Sequence, residues 1–186
     1  MNFLDDILCR STDMDVETYR MKREADEKIM KEAEVYHNLS PEQWPELIFN
    51  WDVSHESQIY STDEHKIDSF NTNYPNGFIL GYVQLDVFDK RLCAFSRRDS
   101  VEELWSTGFP SRLAFLIAYL SHGYPISPPI ARADPFSKLD VRLDGGHHRY
   151  AVAKFCCQPK QTILPIYIRP EDKDKIQKRV EIDWRY

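Results

Sequence analysis

Glycine is scarce in this chain. Only six occur among 186 residues, which excludes a glycine-rich linker or a collagen-like repeat and makes each glycine a place to look for unusual backbone. Cysteine is sparse too. Cys9, Cys93, Cys156 and Cys157 contain no C-x-x-C spacing, so the pattern of a zinc ribbon is missing. Neighbouring Cys156 and Cys157 are poorly placed to pair with each other within a helix, and the cysteines are expected to be reduced thiols of a cytoplasmic protein. Long apolar runs are lacking. The longest near-apolar stretch, Leu113 to Leu120, falls far short of the ~20 residues that span a bilayer and predicts a buried helix. Asp5 and Asp6 stand where a signal peptide would be basic and then apolar, so none is expected. There is no excess of positive charge either. The net charge is −6, so any nucleic acid has to be met by a local patch and not by the whole field.

What is present suits a packed domain. The chain is 42% hydrophobic and 13% aromatic, and its length fits one good-sized domain or a domain with an extension. Residues 13–37 read as a charged helix in which Met21, Ala25, Ile29 and Ala33 make a narrow apolar stripe. That stripe serves either to pack the helix on its own domain or as a docking arm for a partner protein. Ser40-Pro41-Glu42-Gln43 is a helix-start signature and predicts a short helix through Trp44 to Phe49. Residues 52–76 read as a polar loop ending in Asn76-Gly77, and the main boundary is placed there. Asp52, His55 and His65 in this extension read as solvated or structural.

From Phe78 the pattern becomes mixed. Phe78 to Phe88 predicts a strand, Asp89-Lys90 a tight turn, and Arg91 to Phe95 a second short strand. Ser100-Val101-Glu102-Glu103 is a capping box for a short helix. Residues 111–122 predict a helix with Leu113, Leu116, Ile117 and Leu120 on one face and Gly123 ending it. Pro128-Pro129 leads into a strand over Ile130 to Ala133, the chain turns at 134–137, and Leu139, Val141 and Leu143 alternate as a strand. A helix is expected from His147 to about Cys157, a central strand from Thr162 to Ile168, and a charged helix from Pro170. The order predicts an α+β domain, a mixed sheet with helices packed on it.

The centre of interest is Leu143-Asp144-Gly145-Gly146-His147-His148-Arg149-Tyr150-Ala151. Two of the rare glycines sit side by side between a strand and a helix. Such a turn exposes the free N–H groups of the new helix, with the positive end of its dipole behind them, and phosphate is the anion such sites usually take. Arg149 adds a planar, always-charged fork. His148 is a hydrogen-bond donor to phosphate. His147 is a general acid or base, and a nearby phosphate favours its protonated form and thus the acid role. Asp144 is a candidate ligand for a divalent cation, or only a cap for the turn. Adjacent histidines on a helix point about 100° apart, so one of them at most is expected to face a ligand. Between Lys138 and Lys160 five basic residues outnumber two acids. Lys138, Arg142, Lys154 and Lys160 are candidate contacts to a nucleic-acid backbone, while Trp105, Tyr150 and Phe155 read as core in preference to base-stacking platforms.

The block from His122 to Ile168 resembles the ParB/sulfiredoxin superfamily. The matching pieces are His122-Gly123, Pro128-Pro129-Ile130, the hairpin, the turn Gly146-His147-His148-Arg149, and Ile163-Leu164-Pro165-Ile166. The resemblance implies a ParB/sulfiredoxin-like nucleotide-binding domain over residues 78–170; outside it, the residue pattern places a helical extension at 1–77 and a charged helix at 171–186. By position in the family it adds Asp86 and Arg91 to the pocket. It departs from the family in two places. His147 stands where sulfiredoxins carry a reactive cysteine, and the glutamate of partition proteins is missing from the turn. The size and the turn look most like plasmid fertility-inhibition factors. That implies a hydrolase with ATPase and DNase activity, ATP and Mg2+ as ligands, single-stranded or transfer DNA as a partner, a secretion-system coupling protein as another, and a block of conjugative or T-DNA transfer. The alternatives left by the residues are a non-catalytic nucleotide-binding module and a small-molecule kinase.

Overall fold

A computed structural model describes residues 15–62, 67–107, 109–157 and 160–184. Cys9, the acidic start at Asp5 and Asp6, His65 and the first residues of the expected N-terminal helix lie outside them. The architecture is α+β. A five-stranded sheet has the order β5-β4-β6-β2-β7, with β2 Ile79–Gln84, β4 Ile130–Ala133, β5 Val141–Gly145, β6 Ile163–Ile168 and β7 Asp183–Trp184. β4 runs parallel to β6 and antiparallel to β5, and β2 runs antiparallel to both β6 and β7. A second, two-stranded sheet joins β1 Asn50–Trp51 to β3 Pro125–Ile126. Among the described residues no helix is long and apolar enough to cross a membrane.

β6 is the middle strand, as its unbroken apolar run predicts. Its alternate side chains enter two different clusters. Leu164, Ile166 and Ile168 join the large core on one face, with Val83, Ala131 and the helices α4 Leu85–Arg91, α6 Pro110–Ser121 and α7 His147–Cys156. Tyr167 points to the other face. There it meets Phe70, Phe78 and Ile130 under the short helices α2 His55–Ser61 and α3 Ile67–Asn73, and its hydroxyl reaches Ser57 Oγ at 2.5 Å. The described residues of 52–76, expected as loop, therefore include two helices, which cover the second face of the sheet.

Three further expectations change for local reasons. The Ser40–Gln43 signature does form its reciprocal hydrogen bonds, but the turn ends at Gln43. Pro45 forces Trp44 into extended backbone at ψ 151, because a residue before proline is excluded from the helical region. The strand from Phe78 stops at Gln84 and becomes α4 where a turn and second strand were expected. Leu85, Phe88 and Leu92 are all buried, and their spacing of three and four is helical, not alternating. The N-terminal stripe splits along α1 Val16–Ala33: Ile29 and Ala33 enter the core, while Met21 is 67% exposed. Trp44 joins that same core. Helix α5 Val101–Thr107 is capped by Ser100, whose Oγ accepts from the Glu103 amide at 3.1 Å. The terminal helix is one 3-10 turn followed by α8 Lys173–Gln177.

Candidate functional site

β5 delivers the chain to Gly145 and Gly146, and α7 starts at His147. Gly146 is left-handed at φ +79, and a Cβ there would lie 2.7 Å from Pro129 Cα. The turn thus packs directly on the Pro128-Pro129 segment, and both its glycines open on a cleft of about 1160 Å³. His147, His148, Arg149 and Asp144 line that cleft, so the turn brings together the residues that the sequence placed on it, including both histidines.

The cleft is arginine-rich. Arg98, Arg112, Arg132, Arg149 and Arg169 line it, against Asp26 and Asp144. Arg149 Nη1 donates to the Ser127 carbonyl at 2.6 Å and also to Ser127 Oγ, which anchors one arm of the guanidinium and leaves the other side for a ligand. Burial lowers its pKa to about 10, and the group stays charged at neutral pH. Arg98 is held by its own loop: Nη1 donates to Phe95 O and Arg97 O at 3.0 and 2.8 Å. Beneath it, Lys154 Nζ donates to Arg98 O at 2.6 Å and pairs with Asp89 at 2.9 Å, and Asp89 also accepts from Tyr150. Phe95 and Phe109 are 63% and 65% exposed at the cleft. Arg142 lies over the first ring at 4.6 Å and Arg112 over the second at 5.0 Å.

The histidines are neutral. Burial lowers His147 to about 4, helped by Arg98, His148, Arg142 and Arg149. Its Nε2 is shielded from solvent and has no partner among the described residues, as do Arg142 Nε and Arg169 Nε. Buried polar atoms normally find partners, and of these three residues His147 and Arg169 line the cleft. Burial, with Arg112, Arg98 and Arg149, also lowers His148. Its Nε2 accepts from the Phe109 amide at 3.4 Å, which leaves the proton on Nδ1. Without a phosphate nearby, desolvation among guanidinium groups thus disfavours the protonated form of His147.

This arrangement carries a stability signature. The ordinary imidazole value is 6.5 and the folded one is about 4, so between these pH values the unfolded chain binds a proton that the folded chain refuses. Stability is expected to fall as pH drops from about 6.5 towards 4. Urea midpoints at about pH 7.5 and pH 5 measure the drop, and His147→Gln is expected to shrink it. An unchanged drop in that variant would mean that His147 is not the group responsible.

Asp144 is engaged. Its Oδ1 sits 2.7 Å from Arg132 Nε across the hairpin, an ion pair without hydrogen-bond alignment. The side chain is 20% exposed, and burial raises its pKa against the pull of Arg132, Arg169 and Arg142. No group of three His, Cys, Asp or Glu that could hold a metal exists among the described residues. The donor set therefore does not fit a Mg2+ ion held by the protein itself.

Other expected residues are not gathered here. Asp86 pairs with Lys90 at 3.1 Å on α4, Arg91 is exposed, and neither lines the cleft. Lys138 and Lys160 are exposed in separate loops, Lys154 is used internally by Asp89 and Arg98, and Arg142 stacks on Phe95. Trp105 and Tyr150 are core residues, as read. The sequence reasoning missed Arg98, Arg112, Arg132 and Arg169. Only Arg132 left a signal, since a β-hairpin around 134–140 sets it near Asp144; the others come from loops and a helix start that only the fold brings in. Comparison with protein-family models, curated proteins and solved structures finds no match for the chain.

Proposed function

We propose that the chain binds a nucleotide by its phosphates at the Gly145-Gly146 turn and hydrolyses a phosphate bond there. One observation carries this: in a chain of net charge −6, five arginines converge on an open helix N-terminus beside an unpartnered, neutral imidazole. Backbone N–H groups and the free side of Arg149 receive the phosphate. His147 accepts a proton from the attacking water. The remaining arginines stabilise the charge that develops, which is most of what phosphoryl transfer asks of a protein. ATP is the expected ligand, with any Mg2+ carried on its own phosphates. On the resemblance to the ParB/sulfiredoxin superfamily, the biological setting is plasmid fertility inhibition, with DNA as a second substrate and the exposed half of the Met21 stripe turned to a secretion component.

Phosphate release from ATP by the whole chain tests the assignment. His147→Gln is expected to lower turnover about 10²-fold or more, the usual contribution of a positioned base, with little change in nucleotide affinity. The acidic limb of the wild-type rate profile is expected well below pH 6.5, because His147 titrates near 4. A second reading, binding without turnover, is favoured by the pairing of Asp144 to Arg132. Nucleotide binding by wild type with no phosphate release in either protein would select it. Absence of binding would remove both.

A further inference from the structure

Helix α7 ends between two cysteines. Cys156 is its last residue. Cys157 still donates its amide to the Ala153 carbonyl at 3.1 Å, then turns the chain out at φ −99 and ψ 170. In an unbroken helix the two side chains would diverge by about 100°, but here the Sγ atoms are 3.5 Å apart. Both thiols are free; Cys156 is exposed and Cys157 half-buried. They open on a second cavity, of about 410 Å³, lined by Trp44, Leu47 and Phe155 together with Glu42 and Glu46.

We propose that Cys156 and Cys157 form a chelating dithiol site for a trivalent arsenical bearing one apolar substituent. The sulfur spacing selects the ligand. A disulfide needs about 2.05 Å, far shorter than the gap. A single atom bonded to both sulfurs at about 2.3 Å spans roughly 3.3 to 3.8 Å when its bond angle lies between a right angle and a tetrahedral one, as at a pyramidal centre. A linear two-coordinate ion would need roughly 4.6 Å on the same bond length. No third His, Cys, Asp or Glu joins the pair among the described residues, so a four-ligand zinc site is disfavoured and a species that brings its own third bond is favoured. The apolar walls of Trp44, Leu47 and Phe155 stand beside the pair to receive that third substituent.

The reaction is a substitution. Two As–O bonds of the hydrated arsenical break and two As–S bonds form. Each thiol proton leaves with a hydroxide as water, and nothing is oxidised or reduced. The hydrogen bond from Cys156, with a further one from Thr162, lowers Cys157 to about 7, so Cys157 supplies the first thiolate. Cys156 then closes the ring within the same molecule, which makes release far slower than from one thiol.

The probe is phenylarsine oxide, added to the whole chain after reduction with a phosphine. Intact mass is expected to show one phenylarsenic group retained after desalting, resistant to excess monothiol and removed by a dithiol. Release to monothiol is expected about 10²-fold faster from Cys156→Ser and from Cys157→Ser, and unchanged in Cys93→Ser and Cys9→Ser. Peptide mapping of the wild type locates the group without relying on any variant. Retention elsewhere, release from wild type as fast as from the single-serine variants, or a product lighter by two hydrogens with no arsenic would each overturn the proposal.

Discussion

Gly146→Ala is expected to be the most damaging small substitution in the chain. Gly146 sits at φ +79, where an L side chain costs about 1–2 kcal/mol. The added methyl would also lie 2.7 Å from Cα and Cβ of Pro129 and 3.1 Å from Arg149 Nε. The first two atoms belong to a rigid ring and its backbone, so the turn or the Pro128-Pro129 segment has to move, at about 1–3 kcal/mol more. Together these make a loss of about 2–5 kcal/mol, a large share of the 5–15 kcal/mol that holds a domain together. A urea titration measures it. Gly145→Ala is the control: a Cβ there meets the Ser61 carbonyl oxygen at 3.1 Å with no positive φ, and a smaller loss is expected. Equal losses for the two would show that the left-handed turn and its contact with Pro129 do not set the geometry. Nucleotide binding, where Gly146→Ala still folds, is expected to fall with the displaced N–H groups.

Arg149→Ala is expected to have the largest effect on binding. Arg149 is tied to Ser127 by two hydrogen bonds from Nη1, so its position is set before any ligand arrives. Removing it deletes a charge-assisted contact to phosphate, worth about 1.5–3 kcal/mol, and lets the Pro128-Pro129 entry loosen. A loss of affinity of about 10- to 100-fold follows by the usual conversion. Arg149→Lys keeps the charge but loses the planar fork and is expected to fall between wild type and alanine. Calorimetric titration with ATP measures all three proteins. Equal affinities would remove the phosphate from this end of the cleft.

The local chemistry of the turn was readable before any fold. Two adjacent glycines between an alternating apolar strand and a helix-forming segment can hardly do anything but turn, and the residues next to them enter whatever the turn faces. β6 and the helix over 110–121 were readable for the same reason, since their burial follows from unbroken or periodic apolar patterns. The errors arose where local signals competed. The start signature at Ser40 was overruled by Pro45. Val87 and Phe88 carried the expected strand on to a turn at Asp89-Lys90, yet Leu85, Phe88 and Leu92 have the spacing of a helix. The polar loop over 52–76 hid Ile59 and Phe70, whose cluster is completed by Phe78, Ile130 and Tyr167 from beyond the segment.

The electrostatic state of the site was not readable at all. Periodicity and backbone preference act between neighbours along the chain, so amino-acid order alone was enough to specify the glycine bend, the central strand and the main helices. The pKa of an imidazole depends on which charges and how little water surround it in space. Arg98, Arg112, Arg132 and Arg169 reach the cleft that His147 and Asp144 line from four separate segments, and only the tertiary packing buries His147 and lowers its pKa and pairs Asp144 with Arg132.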